Sequence, residues 1–247
     1  GNVELKVMHT PGHTPESLTF LVKNTKDQTA PAKAITGDFI FVGDVGRPDL
    51  LEKAAGQKGT QYQGAHQLFT SLNQFIKLPK NTEIWPGHGA GSFCGKSLST
   101  IPQSTLEQEM TTNPAFKYLN DKDAFTKFIL DGQPEPPKYF TVMKQWNKSL
   151  RPLLIEIPKK QKLSIAEVEN AIKNNMLVID TRKKEEVAKA FIPGSLHIEG
   201  GKSFATFVGS LVGYNNQIIL VGNENQIVDL QRKLMRIGMD NIYGYIS

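Results

Sequence analysis

The chain opens on alternation. From Val3 to Met8, the apolar Val3, Leu5 and Val7 alternate with Glu4 and Lys6, the period of a strand. Pro11 and Gly12 end the run and present His13. Leu18 to Val22 predicts the next strand. The polar stretch Asn24 to Pro31 predicts a hairpin loop, and Ala34 to Thr36 a short buried strand that ends at Gly37 and Asp38. Between Gln63 and Ile76, Leu68, Leu72, Phe75 and Ile76 fall at helical spacing. Glu83 to Trp85 predicts a strand feeding Pro86, Gly87 and His88. Ser104 to Met110, Ala124 to Leu130 and Phe140 to Trp146 predict helices. Strands that deliver polar loop residues, interleaved with helices, predict a layered α/β domain.

The pattern breaks between Ser149 and Leu163. Arg151-Pro152, then Pro158 with Lys159, Lys160 and Lys162, reads as a linker. Ser164 with Glu167 three residues on has the form of a capping box. Leu177 to Asp180 and Ile218 to Val221 predict buried strands. Ile227 to Ile237 predicts an amphipathic helix that Gly238 can end. Strand and helix alternate, so a small α/β domain with a parallel sheet is expected. The predicted organisation is a first domain over residues 1–150, a linker over 151–162 and a second domain over 163–247. A chain of 247 residues is long enough for two cores.

Bulk properties narrow the choice of partners. Hydrophobic content is 39% and charged content 21%, ordinary for a globular protein. The formal charge is +5, but no dense basic run tracks a phosphate backbone, so nucleic acid is not an expected partner. No apolar stretch reaches the roughly 18 residues that span a bilayer, and no signal segment opens the chain. A cytoplasmic location, with no membrane partner, is the expectation. Cys94 is the single cysteine, which excludes an internal disulfide. The opening strand arrives with no preceding element, so the chain reads as a fragment with Gly1 as a cloning remnant.

Candidate chemistry lies in three turns: HTPGHTPES (His9 to Ser17), TGDFIFVGDVGRPDL (Thr36 to Leu50) and WPGHGAGSFCG (Trp85 to Gly95). Each follows an apolar run and sets a metal-ligand side chain beside glycine, where slim backbone can approach an ion. His13 and Asp38 are the candidate ligands; a neutral imidazole with a carboxylate suits zinc or ferrous iron. Asp44 and Asp49 compete with Asp38 but lie farther into the loop. His9 reads as a loop brace and His66 as a surface residue of a helix.

TPGHT, TGD and PGHG in series resemble the late motifs of the metallo-β-lactamase fold. The early HxHxDH loop of that family is absent here. TGDFIFVGDVGRPDL, WPGHGAGSFCG and PPKYFTVMKQWN (Pro136 to Asn147) resemble the persulfide dioxygenases fused to rhodanese domains. The fold implied is the C-terminal half of an αββα sandwich followed by a small rhodanese-like three-layer α/β domain. The resemblance implies one Fe(II) per site, held by two His and one Asp with open positions for dioxygen and persulfide. His13 and Asp38 match two of these ligands; the third falls in the absent loop. His88 matches a ligand of a second metal in two-metal members and resembles a residue that orients the site in the dioxygenases. Arg47 resembles a substrate-binding arginine, against the alternative of a bracing ion pair with Asp44 or Asp49. Cys94 is a candidate sulfur carrier, against the alternative of a small residue filling a tight turn.

LVIDTR (Leu177 to Arg182) followed by FIPGSLHI (Phe191 to Ile198) resembles the rhodanese pattern. Gly222 stands where an active rhodanese carries its cysteine, so this domain is expected to transfer no sulfur. The activity implied is iron-dependent oxidation of a low-molecular-weight thiol persulfide by dioxygen to sulfite and thiol, in sulfide detoxification. A downstream rhodanese would turn the sulfite into thiosulfate. The expected assembly is a homo-oligomer, and the fragment alone is expected to be inactive. The rival readings are a zinc-dependent thioester hydrolase of the glyoxalase II type and a non-catalytic scaffold.

Overall fold

The computed structural model describes residues 1–27, 29–90, 95–96, 98–150 and 153–247. It divides into two compact units, Gly1–Pro136 and Pro137–Ser247.

In the first unit, β1 (Val3–His9), β2 (Leu18–Asn24) and β3 (Lys33–Gly37) form an antiparallel run. A two-stranded hairpin follows, β4 (Ile40–Phe41) and β5 (Asp44–Val45), then α1 (Leu50–Ala55) and α2 (Thr60–Phe75). β6 (Glu83–Pro86) pairs parallel with β3, and β7 (Ser104–Thr105) closes the sheet in the order β1-β2-β3-β6-β7. α3 (Leu106–Thr112), a 3-10 turn (Pro114–Tyr118) and α4 (Lys122–Leu130) complete the unit. The helix expected from Ser104 begins two residues later. Ser104 and Thr105 pair with β6 instead, and the Thr105 hydroxyl caps the helix by accepting from the Gln108 N–H.

The period-2 pattern decides what this sheet covers. Leu21, Ala34 and Ile84 lie in register across β2, β3 and β6 and pack with Leu68, Leu72 and Phe75 of α2 in the core. The alternate row, Val7, Phe20, Ile35 and Trp85, runs across four strands on the opposite face. These four side chains are 52%, 36%, 48% and 40% exposed. One helix layer on one sheet, with an apolar second face, is half of an αββα sandwich, as the motif series implied.

The second unit begins with α5 (Tyr139–Asn147), ahead of the boundary expected at residue 150. The cause is packing. Tyr139 and Met143 sit against the core of Ile179, Val208 and Leu234, and the Trp146 ring meets Tyr214 edge-on at 5.2 Å. The rest is β8 (Gln161–Lys162), α6 (Ile165–Lys173), β9 (Leu177–Asp180), α7 (Lys184–Val187), β10 (Leu196–His197), α8 (Phe204–Leu211), β11 (Ile218–Val221), α9 (Glu224–Arg236) and β12 (Ile242–Ile246). All strand pairs are parallel, in the order β10-β9-β11-β12-β8. The capping box at Ser164 and Glu167 is formed. α9 ends before Gly238, whose φ of 75° permits the left-handed reversal.

Candidate metal centre

His13, Asp38 and His88 come from three separate turns and meet at one carboxylate. His13 Nε2 and His88 Nε2 each lie 3.5 Å from Asp38 Oδ2. Two donors about 2.1 Å from a shared ion stand roughly 3.0–3.4 Å apart, depending on octahedral or tetrahedral geometry. The observed spacing is close to that of ligands around a common ion. Among the described residues, no group of three or more His, Cys, Asp and Glu side chains is arranged to hold a metal ion. A carboxylate with two imidazoles is nonetheless a donor set of the type that borderline divalent metals take.

The polypeptide positions each member by close backbone contact. The turn carrying His13 lies on α2. A Cβ at Gly12 would fall 2.5 Å from Leu68 Cβ, and one at Gly64 would fall 2.9 Å from the Gly12 carbonyl oxygen. Only glycine lets turn and helix touch. Ser71 Oγ adds a hydrogen bond to the Pro11 carbonyl at 2.8 Å. His13 Nδ1 lies 3.0 Å from the Arg47 carbonyl oxygen. A carbonyl can only accept, so Nδ1 carries a proton, and in the neutral ring Nε2 is then the lone-pair nitrogen turned toward Asp38. Such a contact fixes both tautomer and ring orientation. The His88 ring lies against Phe41, with centroids 4.5 Å apart and planes tilted by 30°.

Electrostatics favour an ionised carboxylate. The His88 imidazole, 3.5 Å away, holds the Asp38 carboxyl below its ordinary range; burial opposes this, and His13 and His88 in their protonated forms add to the lowering. Gly46 passes so close that a Cβ there would lie 1.9 Å from the Asp38 carbonyl oxygen and 2.9 Å from His13 Cβ. Gly87 similarly faces Asp38 Oδ1, at 3.0 Å from a Cβ.

The competing carboxylates have other work. Asp44 Oδ1 accepts from the Val45 N–H and Oδ2 from the Lys96 N–H. Asp49 holds Arg47: Nε to Oδ1 at 3.0 Å and Nη2 to Oδ2 at 2.7 Å, with side-chain exposures of 1% and 0%. For Arg47 this is the bracing alternative raised by the sequence; a guanidinium with no exposed surface offers no face to a substrate in this conformation. His9 Nε2 donates to the Pro15 carbonyl at 2.7 Å, a brace as expected, and His66 lies on α2. Cys94 lies outside the described residues.

Glu109 lies outside the three glycine turns that carry the sequence signal. It is fully buried, yet a glutamate in a helix reads as a solvated charge. Its spacing from Leu106, which is also buried, was the available signal: three residues apart on a helix is the same face.

In the second unit, Gly222 follows β11 and lines a cavity of about 890 Å³ with Thr181, Arg182, Gly200 and Asn223. A Cβ at Gly222 would fall 2.4 Å from Thr181 Oγ1, and that hydroxyl donates to the Val221 carbonyl at 2.8 Å. Arg182 forks onto Asp180, Nε to Oδ1 at 2.9 Å and Nη2 to Oδ2 at 2.6 Å. The cavity thus has no thiol at residue 222 and little room for one.

Comparison with known proteins gives two kinds of match. The family model described as a rhodanese-like domain matches residues 164–246. A solved structure described as a metallo-β-lactamase from Staphylococcus aureus subsp. aureus COL is 40% identical, with a TM-score of 0.85, covering 100% of this chain and 68% of that one. The mitochondrial persulfide dioxygenase of Mus musculus is 33% identical over 114 residues, 46% of this chain and 36% of that protein. A hydroxyacylglutathione hydrolase of Prochlorococcus marinus is 33% identical over 85 residues, covering 34% of this chain and 29% of that protein. The matches thus span about a third of the length of these curated relatives. Among the described residues, no helix is long and apolar enough to cross a membrane.

Proposed function

Because this chain belongs to the metallo-β-lactamase family, we propose that His13 and Asp38 ligate one iron ion in an enzyme that oxidises a low-molecular-weight thiol persulfide. The balanced reaction is RSSH + O2 + H2O giving RSH, sulfite and two protons: the sulfane sulfur is oxidised, dioxygen is reduced, and the S–S bond breaks. Ferrous iron, when bound, supplies open positions and the one-electron chemistry that dioxygen requires.

The observation that carries this reading is the meeting of His13 and His88 at Asp38 Oδ2. Likeness over 114 residues to a persulfide dioxygenase and the adjoining rhodanese-like domain support a sulfur substrate. The residues divide the work. His13 presents Nε2 because the Arg47 carbonyl holds Nδ1–H. Asp38 contributes the anionic ligand, kept ionised by its neighbours. His88, stacked on Phe41, orients the carboxylate. Arg47 keeps the loop in register through Asp49. The rhodanese-like domain lacks a cysteine at residue 222 and transfers no sulfur itself; thiosulfate formation would need a further sulfurtransferase.

A second reading has its own support. Asp38 Oδ2 lies 3.5 Å from both imidazoles, so His13, Asp38 and His88 would together help hold two ions, and a hydroxyacylglutathione hydrolase is among the relatives. Two zinc ions there would make a thioester hydrolase. Anaerobic metal analysis of the intact protein, with oxygen uptake on adding glutathione persulfide, separates the two. About one iron per chain and oxygen uptake are expected; two zincs and thioester hydrolysis would overturn the dioxygenase reading.

A further inference from the structure

We propose that Glu109 is a positioning residue for both metal-site histidines, acting through the β4–β5 hairpin; this rests on the metal-site reading above. Glu109 belongs to α3, and its carboxylate is fully buried. Its oxygens accept three hydrogen bonds: from the Gly43 N–H at 3.0 Å, from Asn113 Nδ2 at 2.8 Å and from the Ser104 hydroxyl at 2.6 Å. Asn113 Nδ2 also donates to the Asp44 carbonyl at 3.0 Å. Val42 and Gly43 make the turn of the hairpin, with Gly43 at a φ of 85°, and Asp44 opens its second strand. The buried network therefore grips the hairpin at two successive residues.

Two further hydrogen bonds hold the same hairpin. The Ser99 N–H donates to the Val42 carbonyl at 3.0 Å, and the Lys96 N–H to Asp44 Oδ2 at 2.6 Å. What the hairpin carries explains why its position matters. Phe41, at its start, packs on the His88 ring. Just past its end, the Gly46 N–H closes back on the Phe39 carbonyl at 3.0 Å, and the Arg47 carbonyl holds His13 Nδ1. One hairpin thus sets the ring plane of His88 and the tautomer of His13. A buried carboxylate needs strong donors to be tolerated, so moving the hairpin off Glu109 carries a cost, and the hairpin stays put. Surrounding groups of this kind change metal affinity by about 10–100-fold when removed.

The test uses the full chain labelled at histidine, whose five imidazoles give an internal control. Glu109→Ala is expected to shift the ring resonances of His13 and His88 in the metal-free chain, leaving His9, His66 and His197 in place. It is also expected to weaken binding of Co(II), used as the probe ion, by about tenfold or more. Glu109→Gln should restore both, since its amide oxygen can accept from Gly43 while its NH2 group donates to the Ser104 hydroxyl. If the alanine variant does not fold, Ser104→Ala, which removes one donor, should shift the same two histidines by less. Unmoved His13 and His88 signals in a folded, destabilised variant would overturn the proposal, as would equal shifts of all five. Failure of the parent chain to bind Co(II) would count against the metal-site reading alone, because the metal-free spectra still decide the role of Glu109.

Discussion

Arg47→Ala tests whether Arg47 binds substrate or holds the loop. Its guanidinium and the Asp49 carboxylate are both buried and joined by two hydrogen bonds of 3.0 and 2.7 Å. Removing one partner of such a pair costs about 3–5 kcal/mol, because the other charge stays buried. Lys53 Nζ lies 3.5 Å from Asp49 Oδ2 and is a third exposed, so it can replace part of the lost charge. That lowers the expected loss to about 2–4 kcal/mol. For a unit of this size, the loss corresponds to roughly 5–15 °C in the melting of the first unit. Urea and thermal unfolding of Arg47→Ala, Asp49→Ala and the double variant would measure it. The double variant should lose clearly less than the two singles together, since it leaves no orphaned charge. An Arg47→Ala protein that melts like the parent while KM for persulfide rises in the intact enzyme would refute the bracing role.

Gly46→Ala should abolish Co(II) binding and cost at least about 1–3 kcal/mol, because its Cβ would strike the Asp38 carbonyl oxygen; full affinity in a titration would contradict the site geometry. The chain should form no thiocyanate above background from thiosulfate and cyanide, and Gly222→Ala should lower the melting temperature of the second unit through its clash with Thr181; turnover would mean a nucleophile other than residue 222. Asp180→Asn should destabilise the second unit by about 1–3 kcal/mol at neutral pH. Burial raises the Asp180 carboxyl, but the Arg182 side chain and N–H outweigh it and hold the group below its ordinary value. A depressed folded value means stability that is present above about pH 3.9 and lost as pH falls through the folded value. The gap between parent and Asp180→Asn in urea melts should therefore close only in that acid range; a gap that closes near pH 6 would assign the effect to another group.

Local rules made much of the chain legible. Buried apolar runs marked β9 and β11, and the Ser164–Glu167 pair marked the start of α6. The order of the three glycine turns marked His13 and Asp38, because metal chemistry needs those residue types beside slim backbone. Tertiary facts were not legible. The stripe of α5 is amphipathic in either unit; only its packing on Val208 and Leu234 assigns it to the second. α8 was missed because its run Phe204 to Leu211 contains Gly209 and follows Gly200 and Gly201. β12 carries Gly244 in mid-strand, where a Cβ would fall 2.8 Å from the Gln161 carbonyl oxygen. Arg47 and Glu109 illustrate the wider difficulty. Both carry charges that sequence patterns assign to solvent or substrate, and both are buried where neighbouring polar groups compensate them.

His13 and Asp38 are proposed to share one metal ion. Anomalous diffraction at the iron edge, from anaerobically loaded crystals, would locate it. One peak is predicted, about 2.0–2.2 Å from His13 Nε2 and from an Asp38 carboxylate oxygen. A peak on Asp44 or Asp49 instead, or two peaks beside Asp38, would contradict that assignment.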